Sequence, residues 1–191
     1  MDLIFSSPSP YNASISLRTG ELVYEISSND TKPDPLGLGM GTRRTVVKKF
    51  SVETPASKTP TEIGCIELHT LHDDRCEVYG RDVRPKDKQK WTSSNGQEYS
   101  WKYLSDQVLN PQLLDRDQST VAAYEHSGFI SGKPQKLARL SISPGAGYGI
   151  VDEILVTFLY AQQKRGTTSY VDGFLSVITG GFGVRGYNYR T

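Results

Sequence analysis

Apolar and polar residues alternate with a period of two through much of the chain, which is the pattern of half-buried β-strands. It is plain in Leu22-Val23-Tyr24-Glu25-Ile26 and across Thr45 to Val52. It returns in Glu62 to His69, where Ile66 and Leu68 share a face, and again in Arg75 to Gly80 after Asp73-Asp74. Ser94-Asn95-Gly96 predicts a hairpin joining Gln89 to Thr92 with Glu98 to Tyr103, because Asn-Gly suits the positive φ angles of a tight primed turn. In the second of those strands Tyr99, Trp101 and Tyr103 fall on one side. Thr120 to His126 and Leu137 to Ile142 are further strands, whereas Ser27 to Gly41, with Pro33, Pro35 and its glycines, reads as irregular. The expectation is a mainly β, antiparallel domain.

One segment departs from that period. Ile150 to Arg165 is apolar at positions 151, 154, 155, 158 and 159, a helical spacing. Its alternating set Ile154, Val156, Phe158 and Tyr160 would also suit a strand. The ends favour a helix, with Asp152 and Glu153 near the start, Lys164 and Arg165 near the finish, and Gly166 as the stop. A helix apolar nearly all round has to be enclosed, and strands are the material at hand.

Composition narrows the function classes. The 191 residues carry 22 Lys+Arg against 21 Asp+Glu, and a net charge of +1 gives no global pull toward nucleic acid or an anionic membrane. Mean hydropathy is −0.46 and the longest apolar block is far short of the ~20 residues of a spanning helix. Met1 to Tyr11 has neither the basic start nor the apolar run of a signal peptide, which predicts a cytoplasmic protein with Cys65 and Cys76 reduced.

Five segments carry a resemblance. They are Leu22-Val23-Tyr24-Glu25-Ile26, Arg43-Arg44-Thr45-Val46-Val47, Ile63-Gly64-Cys65-Ile66-Glu67-Leu68, Gly96-Gln97-Glu98-Tyr99-Ser100-Trp101-Lys102 and Val151-Asp152-Glu153-Ile154-Leu155-Val156-Thr157-Phe158. In this order they resemble an uncharacterised family of mushroom (fungal) proteins, itself similar to the tubby C-terminal, LURP-one and phospholipid-scramblase group. The resemblance implies an antiparallel β-barrel over residues 1–166 that wraps an apolar helix near 150–165. A glycine- and aromatic-rich tail, 167–191, has no counterpart in it, and Ser27 to Gly41 is long for the pattern. No enzymatic activity comes with the family, but tubby-like domains use basic residues on the phosphates of inositol lipids.

Basic residues are accordingly the leading candidates. Arg43, Arg44, Lys48 and Lys49 on one strand could hold an anionic lipid head group through charge-assisted bonds, as could Arg81, Arg84, Lys86, Lys88 and Lys90 beyond it. Asp82 and Asp87 dilute the second group, and most charge runs are solvated faces. Gly37-Leu38-Gly39-Met40-Gly41-Thr42 lacks the lysine and following helix of a phosphate loop. His69 and His72, with Asp73 and Asp74, are metal-ligand types, but positions 69 and 72 fall on opposite faces of a strand, so no metal or cofactor is expected. Ser127-Gly128 is no nucleophile elbow, Cys65 reads as a small core residue, and Asp115 and Asp117 read as turn residues, so an enzyme ranks last. In the tail, Tyr170, Phe174, Phe182, Tyr187 and Tyr189 lie among glycines, ready to strap the domain or join a second copy, with Val171 to Ile178 as an added edge strand. The expected function is a non-enzymatic binding or assembly module, homo-oligomeric through its tail or bound to an anionic lipid head group.

Overall fold

Among the described residues, β-branched and aromatic side chains at alternate positions build twelve strands. They are β1 (Asp2–Phe5), β2 (Ala13–Ser16), β3 (Leu22–Lys32), β4 (Thr42–Lys49), β5 (Thr61–Leu68) and β6 (Arg75–Val78), then β7 (Arg81–Asp82), β8 (Lys90–Thr92), β9 (Glu98–Lys102), β10 (Gln112–Leu114), β11 (Thr120–Glu125) and β12 (Arg139–Ile142). One helix, α1 (Val151–Ile178), follows. The computed structural model describes residues 1–32, 42–51, 59–69, 73–86, 89–103, 110–127, 136–146 and 148–178.

The strands form one sheet in the order β7-β6-β5-β4-β3-β2-β1-β12-β11-β10-β9-β8. All neighbours are antiparallel, and they are consecutive in sequence except where β1 meets β12, with Leu3 opposite Leu140. The chain therefore starts mid-sheet, runs out to β7, crosses to the opposite edge at β8 and returns beside its own beginning. Pairing β7 with β8 would complete the expected barrel. Among the described residues no ladder joins them, so the closed barrel is corrected to an open sheet. The reason is local: β7 is only two residues long, and a side chain, Arg81 Nη2, donates to the Thr92 carbonyl at 2.9 Å.

Other expectations change too. β3 runs on to Lys32, into the stretch read as irregular, because β4 supplies it a partner as far as Thr42. β1, β2, β7 and β10, of four residues or fewer, are strands beyond those expected. The Ser94–Gly96 hairpin is a three-residue loop: Gly96 N–H donates to Ser93 O and Gly96 alone in it has positive φ, +79°. The two-residue primed geometry occurs instead at Tyr79 and Gly80, φ 50° and 76°, between β6 and β7.

The chain divides into two units, Met1–Ala161 and Gln162–Thr191. In the first, Ile154, Leu155, Val156, Phe158 and Leu159 of the helix have no exposed surface. Phe158 meets Tyr124 of β11, Trp101 of β9 and Phe5 of β1 at ring separations of 4.5, 5.6 and 6.1 Å. Trp101 Nε1 donates to Thr157 Oγ1 at 3.1 Å, and that hydroxyl donates on to the Glu153 carbonyl. Gly166 does not stop the helix, which continues to Ile178 and takes in the segment expected as an edge strand. A glycine inside a helix costs only about 1 kcal/mol, so it weakens a helix without ending it.

Candidate functional site

The first residues of α1 are read most simply as acids at a helix N-terminus. Their side chains do more, because both reach the sheet. The Asp152 carboxylate accepts from Tyr24 Oη of β3 at 2.6 Å, Tyr79 Oη of the β6–β7 turn at 2.7 Å and Lys49 Nζ of β4 at 2.9 Å. Burial and then the Asp152 carboxylate hold the Tyr24 phenol far above its ordinary value, and burial with the Asp152 hydrogen bond pushes Tyr79 up to about 12. Glu153, 6% exposed, accepts the Ser94 backbone N–H on both oxygens, at 3.1 and 3.0 Å, and Arg81 Nη1 at 3.3 Å. One carboxylate thus holds both edges of the open sheet, β7 through Arg81 and β8 through the hairpin that follows it.

Where β7 and β8 fail to pair, a cleft of about 380 Å³ opens, lined by Arg81, Asp82, Val83, Arg84, Lys86, Lys90, Trp91, Thr92 and Glu98. The Asp82 carboxylate accepts the Arg84 backbone N–H at 2.8 Å, and Glu98 accepts Lys90 Nζ at 2.8 Å. Arg84 Nη1 donates to the Asp74 carbonyl, which fixes the guanidinium without neutralising it. Trp91, 4% exposed, stacks at 5.4 Å on Tyr99. The cleft volume lies within the about 300–1,000 Å³ of small-molecule sites.

A family model described as a family of unknown function (DUF6593) matches residues 8–167. The chain belongs to this family. The DUF6593 match takes in the seam cleft, Asp152 and Glu153, and omits β1. No curated protein and no solved structure matches the chain.

In this DUF6593 chain the four basic residues of β4 do not form one patch. Strand alternation puts Arg43 and Lys49 on the face of Val47, and Arg44 and Lys48 on the other. Arg44 lies 3.8 and 3.6 Å from the Glu62 and Glu67 carboxylates, and Lys49 is committed to Asp152. Cys65 is buried, but on the outer face beside Arg44 and Glu67, whereas Cys76, opposite Ile66, belongs to the core. Both thiols are free, and burial pushes each upward. Asp74 is structural: it accepts His69 N–H and Tyr160 Oη, each at 3.0 Å. Among the described residues no cluster of His, Cys, Asp and Glu could hold a metal, and no helix is long and apolar enough to cross a membrane. His72, Lys88, Gly37 to Gly41, Gly128, Phe182, Tyr187 and Tyr189 lie outside the described residues, and Tyr170 and Phe174 fall within the helix. The importance of Asp152, Glu153 and Trp91 was missed from sequence; the adjacent acids opening an otherwise apolar segment were the available signal.

Proposed function

We propose that this protein is a non-catalytic binding module that recognises an anionic group on its outer surface. Helix side chains packed on the sheet fill its apolar side, so in this reading a ligand is met on the outer surface. The observation that carries this reading is the packing of Phe158 against Phe5, Trp101 and Tyr124, with Ile154, Leu155 and Val156 fully buried around it. Aromatic and aliphatic side chains occupy the space in which a hollow sheet would hold a small molecule. The resemblance to the tubby group points the same way, toward phosphate groups carried by lipids. Assembly through Tyr170, Phe174, Phe182, Tyr187 and Tyr189 belongs to the same proposal, and a size measurement of the chain intact and cut after Arg165 tests it.

The direct test of anion recognition is co-sedimentation with phosphatidylcholine vesicles containing a phosphorylated inositol lipid, together with titration of soluble phosphates. Binding at low salt that weakens steeply toward physiological salt is expected. Wild-type protein that binds no anionic probe at low salt overturns the reading.

A further inference from the structure

We infer that the seam between β7 and β8 is a binding site for a phosphate- or sulfate-bearing group, held chiefly by Arg84 and Lys86. This rests on the surface-recognition reading above and gives it a location and a ligand class.

Charge and hydrogen-bonding capacity left unused in the cleft point to this ligand class. A carboxylate only accepts, while Lys and Arg only donate. Of the two carboxylates lining the cleft, Glu98 is paired with Lys90, while Asp82 accepts the Arg84 backbone N–H and keeps its charge and further lone pairs. Arg81 spends one guanidinium nitrogen on Glu153 and the other on Thr92 O. Arg84 uses a single nitrogen, on the Asp74 carbonyl, and meets no carboxylate within salt-bridge distance among the described residues. Lys86 is exposed, and its ammonium has no partner among the described residues. With Arg81 paired to Glu153 and Lys90 to Glu98, Arg84 and Lys86 against Asp82 leave the cleft one net positive charge, carried by donors. A group with several acceptor oxygens and negative charge matches that set, and a neutral or cationic ligand does not.

The position has a physical origin. β7 and β8 are the two edges of the sheet, yet only residues 83–89 separate them in sequence. The described part of that connection places Arg84 and Lys86 on the lining of the opening. Had the edges paired, ladder bonds would replace the opening. Arg81, by tying Glu153 and Thr92 together, fixes the two walls against each other.

The experiment titrates inorganic pyrophosphate into wild-type protein by calorimetry, with vesicles carrying a phosphorylated inositol lipid as a second arm. Variants are Lys86→Gln, the pair Arg84→Gln/Lys86→Gln, and the pair Arg44→Gln/Lys48→Gln on β4. The Lys86 change, on an exposed side chain, spares folding even if the Arg84 change does not. Losing a charge-assisted bond should raise Kd about tenfold or more for Lys86→Gln, further for the seam pair, and little for the β4 pair. Pyrophosphate binding with vesicle binding assigns a lipid-borne group, and pyrophosphate binding alone a soluble one; either supports the site. Loss in the β4 pair with retention in the seam variants overturns the site and leaves the surface-recognition reading standing. Equal loss in both pairs shows diffuse attraction and also overturns the site. No binding of any anionic probe by wild type overturns both.

Discussion

Gly64 reports directly on where the helix lies. It sits on β5, and a Cβ placed there would stand 2.6 Å from Val156 Cγ2 and 3.3 Å from the Glu77 carbonyl. Carbon atoms prefer about 3.5–4.0 Å, so Gly64→Ala forces a shift of roughly 1 Å. Val156 cannot easily yield, being fully buried and, as a β-branched residue on a helix, nearly confined to one rotamer. Overpacking of this kind costs about 1–3 kcal/mol. The backbone at Gly64 is one an alanine can adopt, so the substitution also lowers unfolded-state entropy, worth about 0.4–1 kcal/mol in the other direction. The net expectation is a loss of about 1–2 kcal/mol. At about 2–4 °C per kcal/mol for a chain of this size, the thermal midpoint falls measurably. Val156→Ala removes the clashing methyls, so the double variant Gly64→Ala/Val156→Ala should be more stable than the sum of the two single changes, by about 1–2 kcal/mol. Urea and thermal unfolding of the three variants supply the cycle. Gly64→Ala at or above the wild-type midpoint, or strict additivity, would refute the packing of α1 against β5, because without the helix only the entropic gain remains.

Further outcomes follow from the same packing. Glu153→Ala leaves Ser94 N–H and Arg81 without their shared acceptor and should cost about 1–3 kcal/mol in urea unfolding, with Glu153→Gln, which keeps an acceptor oxygen, costing less. Phe158→Asp buries an unpaired charge among Phe5, Trp101 and Tyr124 and should abolish folding; a soluble protein with a cooperative transition would contradict the core described. Tyr24 has a raised folded-state pKa, so its contribution is complete below the unfolded value near 10 and is lost as pH climbs above it. Stability should then fall by at most about 1.4 kcal/mol per pH unit for this group, and Tyr24→Phe should flatten the slope in a pH series of unfolding midpoints.

The strand content was legible because alternation reports burial on one face, which a strand residue experiences whatever its neighbours. Leu22 to Ile26, Glu62 to Leu68 and Glu98 to Lys102 are strands for that reason. The apolar helix was legible from its spacing and its acidic start, but its end was not, since Gly166 lowers helix propensity without forbidding a helix. The basic strand shows the limit of linear reading. Arg43, Arg44, Lys48 and Lys49 look like one cluster along the chain, yet the pleat sends them to two faces, and Glu67 and Asp152 come from elsewhere to meet them. Arg81, Arg84, Lys86 and Lys90 were legible as a basic run, but the cleft they line was not. Its walls are opposite edges of a twelve-stranded sheet, and whether those edges pair, or are tied only through Arg81 and Glu153, is decided by strand number, curvature and the helix packed against them. Local pattern determines which residues are strand or helix and which side they bury; only the tertiary closure decides which polar side chains are consumed in holding the fold and which are left for a ligand.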